Sequence, residues 1–410
     1  MKRSYGNGTV ETRGNDVHRL RYIVNGERFS TTFHGSLTDA RKELRGLIKS
    51  GDDGDHIEPT KITVAEWIDR WIALLGRERP TDAAAGEPGD KVVRKRGSVN
   101  PRTLERYAEL LRCHVKPTLG ETRLQKLQAT KIDELYIELE GKIAVRTVHH
   151  VHVVFKACIK SAVSKKLLRD NPVAAAEAPT PDDDAEVGIV LEPEQLRTLL
   201  QGFKGTVFYP IVVTAALTGA RRNEILALRW RDLDVANKTL RIERSVEETK
   251  KFGLQFKEPK RAKHKRTIAV DPELVTLLCA EREKYLRLIA GVRDGTAVDL
   301  SLVRLPDDAL MFPNLVGDMD LAAPRHPRNT SKEIKRRVVA LGFPGMRPFH
   351  DLRVTHETSL LDDGVPVHVV AARCGHDPAV LLRVYAKRTK RADQNAAAAI
   401  GRLSHGLLNG

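Results

Sequence analysis

Toward the carboxyl end of this 410-residue chain stand four side chains that could act on one group: His350 and Arg353 in His350-Asp-Leu-Arg353, His376 after Gly375, and Tyr385. Far upstream, Thr218-Gly219-Ala220-Arg221-Arg222-Asn223-Glu224 supplies a further arginine and a carboxylate. These residue types suit a phosphodiester that is held by cations and broken by a tyrosine hydroxyl. A guanidinium fork is planar, permanently charged and bidentate toward phosphate oxygens. Arg221 and Arg353 together could grip both non-bridging oxygens of one phosphate, and losing one such donor typically raises a barrier by about 3 to 4 kcal/mol. His350 and Arg353 are three residues apart, so a helix through them puts both on one face. An arginine after an apolar helix is more often a surface or ion-paired residue, so neither arginine argues for the site by itself.

A tyrosine phenol titrates near ~10, leaving about one molecule in a thousand ionised at neutral pH. Tyr385 therefore needs cations on the phosphate or a histidine to help its proton leave, and His350 and His376 can serve as base or donor. The expelled DNA-type alkoxide is a poorer leaving group than a phenol and needs an acid. Lys257-Glu-Pro-Lys260-Arg-Ala-Lys-His-Lys-Arg266, between two strand-like segments, is expected to form a hairpin loop that reaches the minor groove and offers one. Lys260 is the candidate, with Lys257, Lys263 and Lys265 as alternatives that spacing does not separate. Glu224, three residues after Arg221, is expected to position Arg221 or a neighbouring histidine.

The elements that must carry these groups follow from composition and periodicity. Lysine and arginine total 69 against 54 acidic residues, a formal charge of +15, which points to a polyanionic partner, nucleic acid above all. No apolar run approaches the ~20 residues of a membrane span, and Met1-Lys-Arg-Ser-Tyr5 opens no secretory signal. Four scattered cysteines form neither a disulfide framework nor a zinc knuckle, which predicts a reduced, cytoplasmic protein.

Tyr5 to Phe33 predicts a small antiparallel sheet, with Arg19 and Arg21 on one face of a strand, Leu20, Tyr22 and Val24 on the other, and a hairpin at Asn25-Gly26. Thr38 is expected to cap a helix striped by Ala40, Leu44, Leu47 and Ile48. Such a sheet, with Arg19, Arg21 and Arg28, could lie in a DNA groove. Gly51 to Asp55 reads as a linker. Helices are expected from Thr63, from Asn100-Pro101, from Thr130 and along Val148, His152, Phe155, Ile159 and Ala162, with Asn171-Pro172 ending this all-helical unit. Arg102, Arg146 and Lys156 are its candidate DNA contacts. Gly76 to Val99 has no periodicity and reads as a flexible insertion. His149, His150 and His152 invite a metal, but no acidic or cysteine partner is near, and His152 on the apolar stripe reads as a core residue.

Pro179 to Gly188 reads as a second linker. Beyond it, Leu191 starts a helix, Val207 to Leu217 predicts a buried one, and Glu224 to Leu228 continues as helix. Strands are expected at Thr239 to Ile242 and Thr267 to Val270, and helices after Asp271-Pro272, at Ser331 to Leu341 and from Phe349.

With Thr218-Gly-Ala-Arg221 and Glu224, Pro259-Lys260, His350-Asp-Leu-Arg353, Gly375-His376 and Tyr385 in this order, the chain resembles the tyrosine recombinases of the phage-integrase family. The resemblance implies Arg221, Lys260, His350, Arg353 and His376 as the activating set and Tyr385 as nucleophile, forming a 3′-phosphotyrosyl intermediate without ATP, metal or other cofactor. It departs from the family at Cys374, where leucine is usual before Gly-His, and a buried cysteine is an acceptable small apolar substitute. The implied fold is multidomain α+β: a three-stranded sheet plus helix at 1–55 for arm-type DNA, an all-α helical bundle at 58–178 for core-site DNA, and a mainly α catalytic domain with a small antiparallel sheet at 186–410. Implied partners are double-stranded DNA at core and arm sites, a homotetramer closed by the tail at Ala396 to Leu403, and an excision factor and a DNA-bending protein, with the bacterial nucleoid as the setting. Two alternatives stand beside this: a topoisomerase or resolvase using the same cleavage, and a non-catalytic DNA-binding protein of the same fold.

Overall fold

The computed structural model describes residues 8–24, 26–52, 57–76, 99–181, 188–258, 265–293, 295–317 and 319–385, together with 397 and 400. The insertion read at Gly76 to Val99 and the tail after Tyr385 fall almost wholly outside these residues. The chain divides into two compact units, Met1–Asp183 and Asp184–Gly410.

The first unit opens with strands β1 (Gly8–Gly14), β2 (Val17–Val24) and β3 (Glu27–His34), antiparallel in the order β1-β2-β3. The pairing Val24↔Glu27 leaves a two-residue turn whose Gly26 has φ +84°. Alternation along β2 buries His18, Leu20, Tyr22 and Val24. Leu20, Tyr22 and Val24 pack on Ala40 and Leu44 of α1 (Leu37–Asp52). Two expectations are corrected here. The cap of α1 is Ser36, whose Oγ accepts from Asp39 N at 3.2 Å, and Thr38 lies within the first turn. Gly51 is the buried end of that helix, not a linker, because its Cα faces Val24 so closely that an added Cβ would lie 2.6 Å from Val24 Cγ2.

The same unit contains an all-helical core. Helix α2 (Val64–Leu75) starts with a capping box between Thr63 and Glu66, and α3 (Pro101–His114) with Asn100 accepting from Arg102 N. After α4 (Lys116–Leu119) come α5 (Ala129–Glu140) and α6 (Val145–Ser164). All five residues of the expected α6 stripe are buried, and Trp67 on α2 donates its indole N–H to Cys158 O at 3.0 Å. His152 is a core residue held by Tyr136 Oη at 3.1 Å, while His149 Nδ1 lies 3.0 Å from Pro179 O. Asn171 does not end the helices: it caps a further short one, α7 (Pro172–Ala175), because its side chain accepts from Val173 N.

The second unit is built around α9 (Tyr209–Thr218), whose side chains are buried nearly all round, as its unbroken apolar sequence requires. Helix α8 (Pro193–Phe203) packs beside it. Next, α10 (Arg222–Ile225) is one turn only; the expected continuation to Leu228 instead makes tight turns, Ala227 N to Glu224 O and Leu228 N to Ile225 O, before Arg229 bridges to Leu310. Strands β4 (Leu233–Asp234), β5 (Thr239–Ile242) and β8 (Arg266–Ala269) form one antiparallel sheet. β5 and β8 pair as the strands flanking the expected hairpin, whose Lys260 lies outside the described residues, and between them the chain makes a further, unexpected hairpin, β6 (Ser245–Thr249) with β7 (Gly253–Lys257). Its inward side is carried by Val246 of β6 and Leu254 of β7, one packed apolar residue per strand, too little alternation to read as strands.

Helix α11 (Pro272–Ile289) is capped by Asp271, and α12 (Pro327–Ala340) begins four residues before the expected Ser331, capped by His326. The site-bearing helices follow: α13 (Pro348–Asp362), α14 (Val367–Cys374) and α15 (Pro378–Tyr385). The fold is thus α+β, and among the described residues no helix is long and apolar enough to cross a membrane.

Candidate active site

Two helix ends build the site. Helix α9 stops at Gly219 and α14 at Gly375, both left-handed at φ +61° and +65°. A side chain in that conformation costs roughly 1–2 kcal/mol, and here there is no room for one. A Cβ on Gly219 would lie 2.6 Å from His356 Cδ2, and one on Gly375 would lie 3.0 Å from Arg266 Nη1. Each turn hands its carbonyl to the arginine of the other motif. Gly219 O accepts from Arg353 Nη1 at 2.6 Å, and Gly375 O accepts from Arg221 Nη2 at 2.6 Å. The expected pair of arginines is therefore cross-locked by backbone, over sequence separations of 134 and 154 residues.

Arg353 is 6% exposed; its Nη2 donates to Cys374 O at 2.7 Å and its Nε to His376 Nε2 at 3.1 Å. Burial pulls its pKa below the usual arginine value, with Glu357 opposing that pull. Arg221 is more open, and Glu224 holds it twice, Oε2 accepting from the Arg221 backbone N–H and Oε1 from Nη1, each at 2.9 Å. The opposite side of the Glu224 carboxylate is taken by Arg266, whose Nη2 lies 2.8 Å from Oε2. Burial alone would raise the Glu224 pKa, but the Arg266 hydrogen bond and charge, then Arg221, outweigh it and hold it at about 2. Of the two roles expected for Glu224, the structure gives it the arginine.

His350 projects from the first turn of α13, exposed; partial desolvation and then Arg347 pull its pKa below the usual value, against Asp351 and Glu357. A cavity of about 680 Å³ is lined by Arg221, His350 and Arg353 together with Arg222, Arg328, Lys332, Lys335 and Arg347. None of its lining residues is acidic. Such a pocket concentrates positive potential where a phosphate would sit.

Tyr385 is the last residue of α15, which begins two residues after His376; its side chain lies outside the described residues. Lys260 and Lys263 also lie outside them. Of the other loop lysines, Lys257 Nζ meets both Glu247 oxygens at 2.9 Å and Lys265 lies 3.0 Å from Glu258. In the first unit, Arg19, Arg21 and Arg28 share the outer face of the sheet, with Arg21 3.0 Å from Glu11. Arg102 is exposed on α3; Arg146 and Lys156 are exposed on α6, ten residues and so about 80° apart around it.

Several residues of the site carried no sequence signal of their own. Arg266 passed as the end of a basic run. His356 and Arg373 form a pair in which Arg373 Nε donates to His356 Nε2 at 3.1 Å while His356 Nδ1 lies 3.0 Å from Ala216 O. Burial, then Arg373, hold the His356 pKa down at about 4. Glu357 lies one turn after Arg353; that i,i+4 spacing was the available clue.

Residues 190–391 match the family described as the phage integrase family. This chain belongs to that family, the tyrosine recombinases. It is an enzyme of DNA recombination, a site-specific recombinase. An integrase of Streptomyces ambofaciens is 25% identical over 97% of this chain and 96% of its own length. A XerC-like tyrosine recombinase of Caldanaerobacter subterraneus subsp. tengcongensis is 24% identical over 88% and 90%. Among solved structures, the Tn1549 transposon integrase in complex with transposon right end DNA superposes at a TM-score of 0.62, with 20% identity, over 84% of this chain and all of that chain. A lambda integrase tetramer bound to a Holliday junction superposes at 0.53, with 15% identity, over 90% and 95%.

Proposed function

We propose that the chain cuts and rejoins DNA through a 3′-phosphotyrosyl intermediate formed at Tyr385, integrating and excising a phage or mobile element. The observation that carries this is the cross-lock of Arg221 and Arg353 by Gly375 O and Gly219 O beside a cavity with no acidic lining. In this reading the two guanidinium groups meet the scissile phosphate, and the charge that grows on its non-bridging oxygens finds donors already oriented. Arg353 must trade at least part of its carbonyl bonding for phosphate, whereas Arg221 is the more open of the two. His376 and His350 assist the phenol proton and hydrogen-bond the phosphate oxygens. Tyr385 Oη attacks phosphorus, the bond to the 5′ oxygen breaks, and Lys260 gives that oxygen its proton. The free 5′-hydroxyl then attacks the phosphotyrosine of a partner duplex, expelling the phenol. One ester replaces another at each step, so the bond energy is conserved without ATP, and the cations are arginine and lysine.

The DNA is engaged by three regions: 1–55 at arm sites through Arg19, Arg21 and Arg28; 58–178 at core sites through Arg102, Arg146 and Lys156; and 186–410 at the scissile phosphate. Four protomers close on two duplexes, as in the lambda integrase tetramer on its junction. An excision factor and a DNA-bending protein are expected as further partners, and the bacterial nucleoid as the place of action.

The test is a duplex nicked so that cleavage releases a short strand and traps the protein. Parent chain should give a covalent protein–DNA band on a denaturing gel, and Tyr385→Phe none. A band of equal strength from Tyr385→Phe, or none from the parent on its own site, defeats the reading. Joining of two separate duplexes separates a recombinase from a topoisomerase.

A further inference from the structure

Glu357 is a buried carboxylate that the cleavage chemistry above leaves without a task. It is 5% exposed, on the face of α13 that carries Arg353. Its Oε1 lies 3.0 Å from Arg353 Nε and 3.1 Å from His376 Nε2, and those two nitrogens are 3.1 Å apart. Three heavy atoms thus form a near-equilateral triangle, and the number of protons within it depends on His376. With the imidazole neutral at Nε2, the Arg353 Nε–H goes to the ring nitrogen, and Glu357 Oε1 stands 3.0 Å from Nε as a buried oxygen that receives no hydrogen bond. With Nε2 protonated, Arg353 and His376 present two donors, and the only acceptor left in the triangle is Glu357. A neutral side chain there would leave two cations facing each other at 3.1 Å in a buried site.

The remainder of the surroundings fits a fixed anion. Arg353 Nη1 and Nη2 each hold a backbone carbonyl, Gly219 O and Cys374 O, and keep a second N–H apiece, while Nε is the nitrogen that faces the imidazole. The Cys374 side chain, buried at the end of α14, faces the same carboxylate. Burial works to raise the Glu357 pKa, but His376 and then the charge of Arg353 overcome it and hold the carboxyl below its ordinary value.

We propose that Glu357 is a positioning residue for DNA cleavage, whose carboxylate anchors Arg353 and accepts the His376 Nε2 proton so that His376 acts in one orientation and in both protonation states. The assignment rests on the roles given above to Arg353 and His376. It predicts a defect in the chemical step, transmitted through His376, with DNA binding kept.

The experiment compares Glu357→Gln with the full-length parent on the trapping duplex, reading the rate of covalent adduct formation and, separately, the DNA-binding midpoint. The amide keeps shape and one acceptor but removes the charge. Adduct formation should slow by about 10- to 100-fold, the range expected for losing a hydrogen bond to a charged group, with the binding midpoint unchanged within about twofold. In a His376→Asn background the same change should cost less than about threefold, because the partner it acts through is gone. Glu357→Asp, too short to reach both nitrogens, should fall between parent and Glu357→Gln; it is the variant to carry through the same cycle if the amide does not fold. An amide variant that cleaves at the parent's rate overturns the assignment, as does an equal loss in both backgrounds. A parent that forms no adduct fails the cleavage reading itself, whereas a parent that forms one alongside an equally active Glu357→Gln fails only the role of Glu357.

Discussion

Arg353 shows how a buried charge is made tolerable. A guanidinium at 6% exposure would be costly without partners, yet every nitrogen has an acceptor, two carbonyls and a ring nitrogen, and the Glu357 carboxylate stands 3.0 Å from Nε as counter-charge. The same economy governs Glu224, which lies between Arg221 and Arg266. Its folded pKa of about 2 lies below the ordinary value of 4.5, so the unfolded chain takes up the proton first as pH falls. Its contribution is therefore complete above about pH 4.5 and is lost as pH drops toward 2. His356, held at about 4 against an ordinary 6.5, acts the same way at a higher range, because protonating Nε2 would turn the acceptor for Arg373 into a second donor. Urea midpoints should thus fall from pH 6.5 to 4 and further below 4.5. Glu224→Gln should start less stable at pH 7 and lose less than the parent between pH 4.5 and 2.5. Parallel curves for the two proteins would contradict the pairing.

At the scale of elements, the site is a junction of helix ends. Helices α9 and α14 end in left-handed glycines because the next peptide must point its carbonyl back across the gap to an arginine. Gly219→Ala should cost at least about 1–2 kcal/mol from backbone strain alone, and more from the contact with His356. Differential scanning calorimetry should show a lowered melting transition, and the trapping duplex a slowed cleavage, since the Arg353 anchor moves with the turn. A variant as stable and active as the parent would mean that the turn is not what holds Arg353. The β6–β7 hairpin belongs to this scale too: β5 and β8 pair with each other, not with the hairpin, so the segment around Lys260 leads from β7 into β8, from one sheet to the other.

For the molecule as a whole, the dominant quantity is charge. A formal +15, with Arg19, Arg21 and Arg28 on one open sheet face and a cation-lined cavity at the candidate site, implies binding governed by counterion release. If six or more phosphates are neutralised, affinity for a duplex should fall by about 10³-fold or more between about 50 and 200 mM salt. A flat response in a fluorescence titration would remove the basic surfaces from the interface.

Sequence by itself determined the residue types proposed for the site and the helices under Arg353 and His376, and the structure brings Arg221, His350, Arg353 and His376 together. Phosphoryl transfer to a phenol admits few substitutes for arginine and histidine, and amphipathic periodicity is a local property that marks α6 or β2 within a dozen residues. Local spacing even contained the Arg353–Glu357 pair, though nothing local showed that the carboxylate was buried or that His376 stood beside it. Only the tertiary structure decided which carbonyl would hold which arginine, that Arg266 would share Glu224, and that one turn of α13 would close a triangle with His376. Those contacts join residues tens to more than a hundred positions apart, and hydrogen bonds of that kind depend on the direction of a backbone turn and the last ångström of packing, neither of which is written in the order of side chains.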